Sequence, residues 1–188
     1  MPLPARRVVT GHDASGNSIV LSDGSPPNIH NRGTGVDFFE LWNTPAVPVT
    51  ITATEAEPTE GPLVTPPPPG GTKVRFNDFY PDHIDKLPPR LDGRHKMMHR
   101  TRSVDYGIVL TGEIYLILDD SEVLLTPGTI VVQRGTDHAW ENRSDQVCRM
   151  AFILISGDFS PELRSTLPDQ LELRTGAVFN DTPPPQQI

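Results

Sequence analysis

The chain has 188 residues, 24 acidic and 16 basic, for a formal net charge of −8, with 21 prolines, 15 glycines and a single cysteine. This length accommodates one domain with a real hydrophobic core and is too short for two ordinary ones. The acidic balance excludes an electrostatic match to nucleic acid or an anionic membrane surface, and one cysteine excludes an internal disulfide.

No stretch approaches the roughly 18 apolar residues that span a bilayer. The start, Met1-Pro2-Leu3-Pro4-Ala5-Arg6-Arg7, lacks the apolar run of a signal peptide. An intracellular, cytoplasmic protein is therefore expected. Cys148, in an apolar run between Val147 and Met150, reads as a buried, inert thiol.

In chain order, residues 1–72 are polar and Pro-rich, with strand-like runs at 7–10, 18–21, 36–42 and 47–53. Turn signals such as Asp13-Ala14-Ser15-Gly16-Asn17 separate them. Each run is too short to be stable alone, so these runs are expected to extend a larger sheet or to pair with a second subunit. The stretch from Glu57 to Gly71 contains Pro66-Pro67-Pro68-Pro69 and then Gly70-Gly71. That composition excludes helix and central strand and reads as an extended surface loop.

Residues 73–156 are the densest part. Strand patterns occur at 73–79, 106–110, 114–118, 122–125, 130–133 and 149–155, and in the first of them Val74, Phe76 and Phe79 are set among polar neighbours. Compact turns such as Thr111-Gly112-Glu113 and Thr126-Pro127-Gly128 connect the later runs. Short strands with tight connections predict an antiparallel meander or Greek key closed as a barrel, which removes exposed edges. After Gly157 apolar density falls. Ser160-Pro161-Glu162-Leu163 carries a serine cap and a first-turn proline, predicting a short helix, and the tail Pro183 to Ile188 reads as disordered. No internal repeat is present. The expected organisation is an N-terminal extension with short strands (1–72), one all-β barrel (73–156) and a C-terminal segment and tail (157–188).

The segment from Gly93 to Gly112 places Gly93, His99, Asp105 and Gly112 in the pattern G-x5-H-x-H-x3-4-E-x6-G. The segment from Gly128 to Asn142 places Gly135, His138 and Asn142 in a shortened form of G-x5-P-x-G-x2-H-x3-N. These resemble the two motifs of the cupin superfamily, and the likeness covers about fifty residues. It implies a small single-domain jelly-roll barrel. In metal-binding cupins the ligands are both histidines and the glutamate of the first motif and the histidine of the second. Here Thr101 stands at the second histidine position, Asp105 replaces the glutamate, and Gln133 stands where proline is usual.

The resemblance therefore leaves two readings open. In one, His99, Asp105 and His138 form a facial triad for one divalent ion, iron or zinc. In the other the metal has been lost, and the same residues act as acid, base and hydrogen-bond donors. Parity supports a shared pocket, since His99, Thr101, Ser103 and Asp105 fall on one face of an extended segment, with Gly107 and Val109 small enough to leave room. A polar row facing a barrel interior is costly unless it binds something.

Thr101, Arg102, Gln133 and Trp140 are candidate substrate-binding residues. Trp140 would stack on a planar substrate at the barrel mouth or form a structural lid. Arg102 and Arg134 would clamp a carboxylate or remain solvated. His95 shares the parity of His99 and borders the pocket or faces solvent, whereas Tyr106 points away. His12, His30 and His83 lie in loop-like surroundings with no spacing to recommend them.

The leading expectation is a small-molecule enzyme, of the kind that accompanies secondary metabolism, doing non-oxidative proton-transfer chemistry on a carbonyl compound: dehydration, decarboxylation, isomerisation or cyclisation. Asp105 or His138 would abstract the proton and His99 would stabilise the enolate oxygen. The alternatives are an iron-dependent cupin dioxygenase and a non-catalytic ligand-binding cupin. A homodimer through the N-terminal strands is expected, with no nucleic-acid or membrane partner.

Overall fold

The computed structural model describes residues 4–167 apart from 32, 34, 82, 88 and 90–92, so the expectation for the tail at 183–188 lies outside the described residues. Within them the strands are β1 (Arg7–His12), β2 (Ser18–Gly24), β3 (Asn28–Asn31), β4 (Val36–Thr44), β5 (Thr72–Phe79), β6 (Ser103–Thr111), β7 (Ile114–Ile117), β8 (Glu122–Leu125), β9 (Ile130–Arg134), β10 (Ala139–Glu141) and β11 (Cys148–Ser156). A 3-10 turn spans His83–Lys86 and helix α1 spans Pro161–Thr166. Ser160 caps that helix by accepting the Leu163 N–H, as its sequence predicts.

The strands form three sheets: the hairpin β1-β2, a three-stranded sheet in the order β10-β7-β8, and a six-stranded sheet in the order β3-β4-β5-β11-β6-β9. Neighbouring strands are antiparallel. The two larger sheets enclose one core, where Met150, Phe152 and Leu154 of β11 join Ile114, Leu116, Leu125 and Trp140 of the smaller sheet. This is the expected all-β jelly roll with a short C-terminal helix. The sheets do not merge into one continuous ladder. An isolated antiparallel bridge between His99 and His138 instead ties the chain entering β6 to the chain entering β10.

Strand β6 alternates as its sequence predicts, with Ser103, Asp105, Gly107 and Val109 buried and Val104 and Tyr106 facing out. The tight turn after it depends on Gly112, whose φ is +71°. A Cβ there would lie 2.7 Å from the Val147 carbonyl oxygen, so glycine is required on both counts. Cys148 is fully buried, and burial pushes its thiol up to about 12, which makes it inert as expected.

Three sequence expectations change. The run at 47–53 is not a strand: Pro45 and Pro48 remove ladder donors, and Val47, Val49 and Ile51 lie exposed. Strands β3 and β10 are additional, being too short or too polar to show alternation. The stretch at 57–71 has no regular structure, but it is more than a surface loop. Thr59, Leu63 and Thr65 are buried, so it crosses the molecule as a strap.

Candidate active site

His99 and His138 arrive from different motif segments and meet on the isolated bridge, each backbone N–H donating to the other's carbonyl at 2.9 Å. Directly paired residues project to the same side, and the imidazole centroids lie 4.3 Å apart with the rings tilted by 50°. The two rings are anchored alike. His99 Nδ1 lies 2.7 Å from the carbonyl oxygen of Met97, and His138 Nδ1 lies 3.0 Å from that of Thr136. A carbonyl oxygen can only accept, so each Nδ1 carries the hydrogen. In the neutral rings Nε2 then holds the lone pair.

An ion-pair clamp beside the bridge keeps the segments in register. Asp137 accepts from Arg100 Nε at 2.9 Å and from Arg94 Nη1 at 2.7 Å. These partners adjoin the histidines in sequence (Arg100 follows His99, Asp137 precedes His138), so the clamp fixes the rings through the backbone. Burial, with the charge of His99 second, holds the His138 imidazole well below the ordinary histidine range, against the Thr136 carbonyl.

Asp105 faces inward from β6 and is buried. Ser103 Oγ donates to Thr101 Oγ1 at 2.7 Å, and Thr101 Oγ1 donates to Asp105 Oδ2 at 3.3 Å. Asp105 Oδ1 is buried with no hydrogen-bond partner among the described residues. Desolvation pushes the carboxyl upward, opposed by the hydroxyls of Ser103 and Thr101 and by the charge of Arg75. His99, His138, Asp105, Thr101, Arg75 and Asn77 share a cavity of about 40 Å³, room for a few waters. Asn77 Oδ1 and Thr65 Oγ1, also from residues of this cavity, are buried without hydrogen-bond partners as well.

Comparison with known proteins places this geometry. The model of the cupin domain matches residues 86–155. A phomopsin biosynthesis cluster protein (C′) of Diaporthe leptostromiformis is 38% identical over 79% of this chain and 77% of its own. This chain belongs to the cupin family. Oryzines biosynthesis cluster protein J of Aspergillus oryzae is 31% identical over 79% of this chain and 81% of its own. A cupin-domain-containing oxidoreductase of Aspergillus ruber is 30% identical over 79% and 71% respectively.

This cupin departs from a metal-holding one in the way its residues are placed. Among the described residues no three His, Cys, Asp or Glu side chains are gathered closely enough to hold one ion. The two histidines and Asp105 line one cavity without converging on a single point within it, and Thr101 turns its hydroxyl to Asp105. The residues as placed do not fit a three-ligand ion.

Of the other candidates, Thr101 and Trp140 line the cupin's cavity, but Arg102 and Gln133 do not. Trp140 is buried in the cavity wall, edge-on to His138 at 5.7 Å and to Phe152 at 5.5 Å. Gln133 is buried opposite Asp105 in the ladder, but its amide donates to Thr136. Arg102 is exposed and lines a separate, larger cavity with Asp158, and Arg134 is exposed. Gly107 leaves no room, because Met150 and Phe152 fill the space beside it. His95 is partly buried beside Glu141 and outside the cavity. His83, which has no motif spacing, is fully buried between the carbonyls of Tyr80 and Trp140.

Sequence reasoning missed Arg75, Asn77 and Thr65. One signal was available for the first two: Phe79 shares the parity of Lys73, Arg75 and Asn77, not that of Val74 and Phe76. The polar row of β5 is therefore the inward one.

Proposed function

We propose that this cupin is a small-molecule enzyme of a biosynthetic pathway that moves a proton next to a carbonyl group, with Asp105 as the base. The observation that carries this reading is the buried Asp105 Oδ1, aimed into a cavity with no hydrogen-bond partner and raised toward neutrality by burial. A carboxylate so placed is a stronger base than an exposed one. Asn77, in the same cavity, carries a side-chain amide that would donate to a developing enolate oxygen. His99 and His138 present lone pairs, so they suit acceptance of a substrate hydroxyl proton better than the oxyanion-stabilising role the sequence suggested for His99. Isomerisation and dehydration use these parts most directly. Relatives named for biosynthesis clusters support the metabolic setting.

The test is solvent exchange. Small carbonyl compounds with an acidic α-C–H are incubated with the protein in D2O, and loss of the α-proton signal is followed by NMR. The expected result is catalysed exchange that Asp105→Asn abolishes while its circular dichroism stays that of the parent. Undiminished exchange in that variant would refute the assignment.

A second reading, metal-dependent oxidation, draws support from relatives named as oxidoreductases, and would need an ion held by the two histidines without Asp105. Close to one iron per chain, lost in His99→Ala and accompanied by oxygen uptake, would favour it. We also infer a homodimer, and place its contact on the outer face of β6 and β9 in preference to the N-terminal strands that the sequence suggested. Tyr106 pairs with Val132 in register, and both are exposed beside Val104 and Ile130. An apolar face on a chain of net charge −8 is best covered by an identical apolar face in a two-fold contact.

A further inference from the structure

Strand β5 turns Lys73 and Arg75 into the molecule, where both side chains are almost fully buried. Their hydrogen-bond partners include main-chain oxygens of the strap: Lys73 Nζ donates to the Val64 carbonyl at 2.5 Å, and Arg75 Nη2 donates to the Thr65 carbonyl. Glu40 lies behind them, 3.2 Å from Lys73 Nζ and 3.4 Å from Arg75 Nη1. Prolines at 62 and 66–69 have no N–H to anchor the strap. Residues 63–65 are held by the burial of Leu63 and by these contacts to the two cations.

The same residues divide two cavities. Val64, Lys73 and Glu40 line an outer one of about 640 Å³, while Thr65, Arg75 and Phe38 line the inner one of about 40 Å³ that holds His99, His138 and Asp105. On each of the three segments, positions one or two apart face different cavities. The strap at 64–65 thus lies between the two cavities, and the inner one as it stands holds no more than a few waters.

We propose that residues 63–65 are a gate, and that Lys73 and Arg75 exchange its carbonyl oxygens for the carboxylate of the substrate. This rests on the inner cavity being the active site. A carboxylate outcompetes a neutral carbonyl at a guanidinium because its two charged oxygens match the fork and each bond is charge-assisted. A monoanion suits the place better than a phosphate dianion, which would face both Glu40 and Asp105. With its carboxylate on Arg75, a substrate directs its adjoining carbon atoms into the cavity that Asp105 shares.

The probes are benzoate, its neutral counterpart benzamide, and inorganic phosphate. Trp42→Phe leaves Trp140, in the inner cavity, as the sole indole reporter. Benzoate is expected to change Trp140 emission saturably and to speed hydrogen exchange at the amides of residues 63–65, with benzamide inactive. Arg75→Gln is expected to weaken benzoate about tenfold or more, and Arg75→Lys to weaken it less, which separates lost recognition from lost folding. The proposal is overturned if benzoate has no saturable effect, if benzamide matches it, if phosphate binds more tightly, if strap exchange is unchanged, or if well-folded Arg75→Gln binds like the parent. Binding needs no turnover, so Asp105→Asn should still bind benzoate. Failure of the proton-transfer reading would leave that result intact.

Discussion

His138 and Asp105 pull the pH dependence of stability in opposite directions, because burial disfavours the charged form of each. The folded His138 titrates well below the ordinary histidine value of about 6.5, so between those points the unfolded chain binds the extra proton. Its contribution is present above about pH 6.5 and is lost as pH falls through that window. In His138→Gln, thermal melts are expected to lose part of the parent's acid sensitivity. Asp105 is the reverse case. Its folded value is raised, so its contribution is full below the ordinary aspartate value and is lost as pH rises through the folded one. Asp105→Asn should therefore melt above the parent at neutral pH, with the gap closing on acidification. The same variant should lose about 10²- to 10⁴-fold in turnover if Asp105 is the base. A variant that is both less stable at neutral pH and fully active would contradict both statements.

Among the elements, the strap shows how burial is decided locally. Leu63 belongs to the core cluster, whereas its neighbour Val64 is 43% exposed. Leu63→Ala is expected to cost about 2–5 kcal/mol in urea denaturation, and Val64→Ala well under 1 kcal/mol, as for most surface substitutions. Equal losses would mean that the strap does not seat through Leu63. Strand β6 was legible from its alternation, and β7 and β8 as short apolar runs closed by turn residues. Other elements were not: 47–53 alternates too, yet Pro48 within it cannot donate to a ladder. The burial of the strap depends on a sheet that its own residues do not encode.

For the whole molecule, the outer face of β6 and β9 makes the association state testable. Val132→Glu, at a position 54% exposed, is expected to leave the fold intact and to shift sedimentation from twice the chain mass to the single chain. A parent that sediments as a monomer at micromolar concentration would remove the dimer. No helix among the described residues is long and apolar enough to cross a membrane.

The sequence by itself determined the jelly-roll class, the inward row of β6 and the two histidines with Asp105, because motif spacing and period-two alternation are local properties. Tertiary structure alone decided that the histidines pair across a bridge between sheets, and that Asp105 lines their cavity without joining them in a metal-holding cluster. Each of these depends on which distant strand lies alongside and on what covers the sheet. Arg75 lines the inner cavity only because the strap packs across the inner face of β5.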